Sequence, residues 1–264
     1  MKARLALRSV ALGYLGFLII LPVATVFWLT FRDGLGPFWS SVAEPAALNA
    51  FRITVLAALV AVVANTAFGI LCAIVLVRHD FPGKRLLSAL VDLPLAVSPV
   101  VVGLALILVY GTYGWFGSHL AEYGIRIIFS LPGIILATVF VSLPFVVREV
   151  APVLREIGTE QEQAAATLGA SSWQTFWRIT LPSIRPGVAY GVVLTTAKAL
   201  GEFGAVAVVS GRIIGRTQTL TLHVEDRFQA FDMTGAYAAS VVLALLALGT
   251  LFAMNLLRPK EEKT

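Results

Sequence analysis

The sequence predicts an all-α polytopic membrane protein with six transmembrane helices. Composition is the first reason: of 264 residues, 58% are hydrophobic and 13% charged, where a soluble domain has about 45–50% apolar and about 25% charged residues. The second is a mean hydropathy of +0.86. The third is five stretches of 21 to 29 residues without Asp, Glu, Lys or Arg, each able to cross a hydrocarbon core about 30 Å thick. Halving the charge leaves too little polar surface for a soluble enzyme, a secreted disulfide scaffold or a disordered chain. Cys72, the single cysteine, forms no intrachain disulfide or metal cluster and reads as packing within an apolar run.

The first stretch, Ser9–Phe31, follows Lys2, Arg4 and Arg8 as a signal peptide would. Its 23 uncharged residues exceed the usual 7–15 of a signal core, and no small-x-small cleavage site follows, so it reads as an uncleaved first helix. The second is Ile53–Val77. The third begins at Leu93 and is expected over 93–113, with Gly111, Gly114 and Gly117 ending the helix near Tyr110. The fourth is Ile127–Val147, and the last is Met233–Leu257. A sixth span is expected over 187–211, although Lys198 and Glu202 interrupt it. Each charge alone at mid-bilayer costs roughly 2.5–3.5 kcal/mol. At i and i+4 they share a helix face and can pair, so this helix turns its polar face into the protein.

The net charge of +5 and pI near 9.6 would suggest nucleic acid in a soluble protein. Here they report topology, because Lys and Arg collect on the cytoplasmic side. With the N-terminus inside, cytoplasmic segments hold 13 basic residues and outer loops six: Arg32, Arg52, Arg126, Arg212, Arg216 and Arg227. Both termini are therefore expected inside, in one transmembrane domain over 1–264.

The longest cytoplasmic connection, 148–186, reads as two short helices. Thr159 with Glu162 is a candidate capping box for a helix through Leu168, and Gly169 suits the left-handed residue after its end. Ser171 with Gln174 offers a second box, for a helix to about Thr180 that Leu181–Pro182 ends. That second helix carries Trp173, Phe176, Trp177 and Ile179. Its aromatics either pack beneath the protein's own helices or dock onto a soluble partner, since aromatics anchor interfaces.

Gln163-Ala164-Ala165, Gly169, Ile179, Leu181 and Pro182 keep the spacing Glu-Ala-Ala, three residues, Gly, nine residues, Ile-x-Leu-Pro. This resembles the EAA loop of bacterial ABC importer permeases, in which the loop forms a coupling helix seated in a cleft of the cytoplasmic ATPase. Gln163 stands where the family usually has Glu, with Glu162 one residue earlier, which puts a salt bridge to the ATPase at that site in doubt. Asp92–Gly103, Pro144–Glu149 and Gly201–Val206 are similar to permease subunits of the sulfate/thiosulfate (CysW) type. Molybdate permeases share the Gly-Glu-Phe-Gly-Ala element. The likeness covers about Arg52 to Met254 and implies a type I ABC importer permease (MetI-like) fold in the bacterial inner membrane. It also implies a homologous second permease, two ATPase subunits carrying ATP and Mg, and a periplasmic or lipid-anchored sulfate-binding protein. A molybdate or tungstate permease acting as a homodimer and an ion-coupled secondary transporter are the alternatives.

The chain has no Gly-x-x-x-x-Gly-Lys-Ser/Thr loop and no Gly-x-Ser-x-Gly elbow, so no catalytic site, metal site or bound cofactor is expected. His79, His119 and His223 read as solvated loop residues. Lys198 and Glu202, the only charges inside a span, form either a structural pair or part of the path of a dianion, Lys198 attracting it and Glu202 offsetting the attraction. Phe203 is a candidate gate, Gly204 allows close approach or a local break, and Ser98 is assigned to the same path. Gly187 and Gly191 are read as helix packing. The outer segment 212–232, of mixed charge, is either a docking face or an ordinary solvated surface.

Overall fold

The computed structural model describes residues 2–257, and among them every regular element is helical. Helices α1 (Lys2–Leu15) and α2 (Leu21–Phe31) join through a π turn at Gly16–Ile20. That turn ends two residues before Pro22, whose ring would crowd the carbonyl four residues back, at Leu18 within it. Gly34, at φ 91°, reverses the chain into α3 (Leu35–Val42). The 34-residue α4 (Pro45–Arg78) follows, about 51 Å long at 1.5 Å per residue.

The region expected as a helix over 93–113 is two helices, α5 (Lys84–Ala96) and α6 (Pro99–Tyr110), bent by 114°. Proline is the cause, since the residue before it is excluded from the α region. Ser98 accordingly takes ψ 134°, and Val97 is extended as well. The short α7 (Gly117–Glu122) leads to α8 (Leu131–Ser142) and α9 (Pro144–Ile157), which form one stretch of 27 residues.

The 148–186 loop contains α10 (Glu160–Thr167), α11 (Ser172–Thr175), a π turn at Phe176–Thr180 and α12 (Leu181–Ser183). Then come α13 (Arg185–Leu200), α14 (Gly204–Val209), α15 (Leu220–Gln229) and α16 (Met233–Leu257). Among the described residues, length and apolarity mark four stretches able to cross a bilayer, or five if the bent α5–α6 pair counts as one. The expected 187–211 helix is divided between α13 and α14 by the break at Gly201–Phe203.

The core is built where α4, α9 and α13 meet. Val146, Val150, Leu154 and Ile184 are fully buried there. In lipid, where tails are as apolar as the core, close van der Waals approach replaces hydrophobic collapse as the driving force. Glycine permits that approach. A Cβ on Gly69 would lie 2.6 Å from Val146 Cβ, one on Gly191 2.8 Å from Val146 Cα, and one on Gly187 2.7 Å from the Glu149 carbonyl. The Gly187–Gly191 pair is thus helix packing, as its spacing suggests. Polar ties supplement it. Asn65 Nδ2 donates to the Val139 carbonyl (3.0 Å) and to Ser142 Oγ (2.9 Å), joining α4 to α8. Thr54 Oγ1 accepts the Leu220 N–H at 2.7 Å, joining α4 to α15.

Candidate functional site

Two regions carry the candidate residues. The first is the 148–186 loop. Gly169 takes φ 83° after α10, as its place in the sequence suggests. The Ser171–Gln174 capping box forms, with Gln174 N–H donating to Ser171 Oγ and Ser171 N–H to Gln174 Oε1. The Thr159–Glu162 box does not form, because the Glu162 carboxylate is engaged elsewhere. Thr180 Oγ1 donates to its Oε1 at 2.8 Å, and Arg78 Nη2 reaches the same oxygen at 3.3 Å. Arg78 Nε lies 3.1 Å from Oε2 without hydrogen-bond alignment, so that contact is Coulombic. Arg78 Nη2 also donates to the Gly158 carbonyl at 2.5 Å. One carboxylate therefore ties α10 to the end of α4 and to the π turn. Sequence reasoning passed over this clamp; the signal for it was a basic residue closing the second apolar stretch opposite a loop rich in acids.

Gln163 faces outward, its Nε2 donating to Thr159 Oγ1 at 3.1 Å, and Ala164 is exposed while Ala165 is buried. The aromatics divide between the two readings. Phe176 and Leu181 pack on the α4–α9 core, whereas Trp173 and Trp177 are 69% and 50% exposed. The rings hold one another edge-on, with Trp173–Trp177 centroids 5.5 Å and Phe176–Trp177 centroids 5.3 Å apart. The two tryptophans form an exposed apolar pair, and Leu168, before α11, is 89% exposed as well. Ile179 and Pro182 are half-buried. Pro182 does not stop the helix. It sits in the first turn of α12, where its missing N–H costs little, and the helical path continues to Ser183.

The second region is the break at Gly201–Phe203. Glu202 is buried, and its Oε1 accepts the Ala205 N–H at 3.0 Å, anchoring the start of α14. Its Oε2 lies 2.9 Å from Lys198 Nζ as a Coulombic partner with no hydrogen bond aligned on it. Thr221 Oγ1 donates to the Glu202 carbonyl at 2.9 Å, holding the irregular backbone against α15. Lys198 keeps 35% of its side chain exposed, Phe203 is 39% exposed and Ser98 is exposed. Residues far apart in sequence meet here. A Cβ on Gly204 would lie 3.0 Å from Pro99 Cβ, and one on Gly103 2.9 Å from the Ala205 carbonyl, so the Ser98–Gly103 and Gly201–Val206 elements form one α6–α14 contact. An exposed Asp92–Arg148 pair (2.9 Å) also links two of the recognisable motifs, though such pairs contribute only about 0–1 kcal/mol.

The 212–232 segment, expected on the outer side, is largely neutralised by its own ion pairs and by Glu44. Arg227 pairs with Glu44 and with Asp232 (3.1 Å), and Arg212 with Glu225 (2.9 Å). The hydrogen bond and charge of Glu44 hold the Arg227 pKa above its usual value. His223 is not a solvated loop residue: it is buried on α15 with Nδ1 3.2 Å from Gln218 Oε1. Burial, and then Arg227, push its pKa down.

With this helical membrane core, its loop of short helices and its helix broken around an ion pair, the chain falls in the permease class of binding-protein-dependent transporters. The chain belongs to the family of binding-protein-dependent transport system inner membrane components, matched over residues 65–263. It is 50% identical over 259 residues to the sulfate transport system permease protein CysW of Synechocystis sp. (strain ATCC 27184 / PCC 6803 / Kazusa), covering 98% of this chain and 94% of that one. It is 38% identical over 250 residues to the sulfate transport system permease protein CysT of Escherichia coli (strain K12), covering 95% and 90%. The fold matches a chain in the crystal structure of a bacterial alginate ABC transporter in complex with an alginate pentasaccharide-bound periplasmic protein, with a TM-score of 0.81 at 18% identity, covering 100% of this chain and 96% of that one.

Proposed function

We propose that this chain is a permease subunit of an ATP-driven importer of sulfate or thiosulfate. The observation that carries the substrate is the 50% identity to a sulfate permease over 98% of the chain. In this reading the chain crosses the bacterial inner membrane six times with both termini in the cytoplasm, α13 and α14 together making the broken crossing. A homologous second permease completes the path, in keeping with the paired CysW and CysT names among its relatives. Two cytoplasmic ATPase subunits carry the ATP and Mg, and an outer binding protein delivers the anion.

The ATPases dock on the face formed by Leu168, Trp173 and Trp177, and Gln163, exposed beside it, contributes hydrogen bonds without charge. Their closure reaches the membrane helices by two routes. One is the Glu162–Arg78 clamp into α4; the other is the Phe176 and Leu181 packing into the α4–α9 core. At the path, Lys198 offers a cation to the dianion while Glu202 moderates the attraction, since a conduit needs sites weak enough to leave. Phe203, on the irregular turn that Gly204 lets lie against Pro99, gates that point.

Uptake of radiolabelled sulfate by sulfur-starved cells with and without the gene tests the reading, with unlabelled thiosulfate and molybdate as competitors. Loss of uptake on deletion, competed by thiosulfate and not by modest molybdate, is the expected result. Unchanged uptake in a strain with no second sulfate system would sink the substrate assignment.

A further inference from the structure

A cavity of about 820 Å³ opens between the end of α6, the 111–130 segment and the 213–217 turn, lined by Tyr110, Arg126, Ser130, Arg216 and Thr217 among others. Its described lining includes two arginines and no Asp or Glu. Both arginines are exposed, and neither makes an ion pair among the described residues. Their neighbours behave differently, Arg212 and Arg227 both being neutralised by carboxylates. Glu122, four residues before Arg126, stays outside the lining. Basic residues are disfavoured on the outer side of a membrane protein. Two uncompensated ones converging on a single cavity therefore need a reason.

The wall of the cavity is tied to the broken helix. Phe129, in its wall, donates its N–H to the carbonyl of Val209 at 2.8 Å. Val209 ends α14, whose six residues span about 9 Å at 1.5 Å each. At the other end of α14 stand Glu202 and Lys198. A cationic cavity and the partly exposed Lys198, paired with Glu202, thus lie towards the two ends of one short helix. The guanidinium groups suit a tetrahedral oxyanion, which they bind through paired N–H donors.

We propose that Arg126 and Arg216 form a receiving site for the transported oxyanion at the outer mouth, filled before the anion passes along α14 towards Lys198. This rests on the sulfate permease reading and on the outward orientation of the 111–130 and 212–232 segments. The site raises the local concentration of a dianion; it does not hold it tightly, because both cations remain solvated.

The test uses the complete importer in proteoliposomes, with Arg126→Gln, Arg216→Gln, the double variant and the double Lys variant. The readouts are initial uptake of radiolabelled sulfate at sub-saturating concentration, binding of the sulfate-loaded binding protein, and stimulated ATP hydrolysis. The double Gln variant is expected to lose about tenfold in uptake rate, a typical yield of electrostatic focusing. Binding-protein docking and ATP hydrolysis stay unchanged, and the Lys variant recovers most of the rate. Wild-type uptake by the double Gln variant overturns the site. So does a parallel loss of binding-protein docking, which would give the arginines a protein carboxylate as their partner. Absence of sulfate uptake by the wild-type importer would sink the substrate reading instead, and the same variants then report on whichever oxyanion is carried.

Discussion

Replacing Glu162 by Gln isolates the clamp between the cytoplasmic loop and α4. The amide keeps the length of the side chain and an acceptor for Thr180, while Arg78 keeps the Gly158 carbonyl. What is lost is charge at a site where the Arg78 and Glu162 side chains are only 11% and 22% exposed. A solvated pair is worth about 0–1 kcal/mol, and a fully buried charge stripped of its partner costs about 3–5 kcal/mol. With the remaining hydrogen bonds intact, the charge-assisted share is about 2 kcal/mol. That is about a 30-fold rise in the released population of the loop, at about 1.4 kcal/mol per factor of ten. Hydrogen exchange in lipid nanodiscs reads it directly, because amides that open locally report the local free energy. Amides of α10 should exchange about 30-fold faster while those of α15 keep their rates, and the swap Arg78→Glu with Glu162→Arg should recover part of the protection. Less than a threefold change in α10 would refute the clamp.

Other consequences are equally specific. Gly69→Ala puts a methyl against Val146 Cβ and should destabilise by about 1–3 kcal/mol, the usual cost of overpacking, read as a lower Tm; adding Val146→Ala should not restore it, because alanine keeps the clashing Cβ. The His223 pKa is lowered in the folded protein, so its contribution to stability is complete above the ordinary value of 6.5 and is lost as pH falls from there through the folded pKa. Thermal unfolding followed between pH 7.5 and 5 should show this acid-side loss in the wild type and a flatter profile in His223→Gln. Glu202→Gln should keep the acceptor for the Ala205 N–H while freeing Lys198 to hold the anion longer, lowering the maximal uptake rate; an unchanged rate would make the pair purely structural.

Much of this molecule was legible in its sequence because the bilayer imposes coarse rules. Uncharged stretches between Arg52 and Arg78 or after Asp232 announce helices, and α4 and α16 lie there. The glycine and capping signals at Gly169 and Ser171 are local, and both motifs form as read. Composition could not announce the 114° bend after Ala96, although Ser98-Pro99 contained its cause. The break at Gly201–Phe203 was foreshadowed by two glycines flanking a charge. Long-range partnerships were invisible. Thr159 and Glu162 have the spacing of a capping box, yet Arg78, 84 residues away, competes for the carboxylate and wins through burial. His223 misled for the same reason, since a polar segment gives no sign that a neighbouring helix will cover it.

ATP-driven oxyanion import coupled through the 163–182 loop can be read in a single experiment. That measurement is sulfate uptake by the purified complete transporter in proteoliposomes, followed with ATP present or absent and with ion gradients intact or collapsed by ionophores. Uptake should require ATP, survive the ionophores and fall when the exposed face is altered by Trp173→Ala with Trp177→Ala. Uptake that persists without ATP and disappears with the ion gradient would contradict it and leave Lys198 and Glu202 as the coupling pair of a secondary transporter.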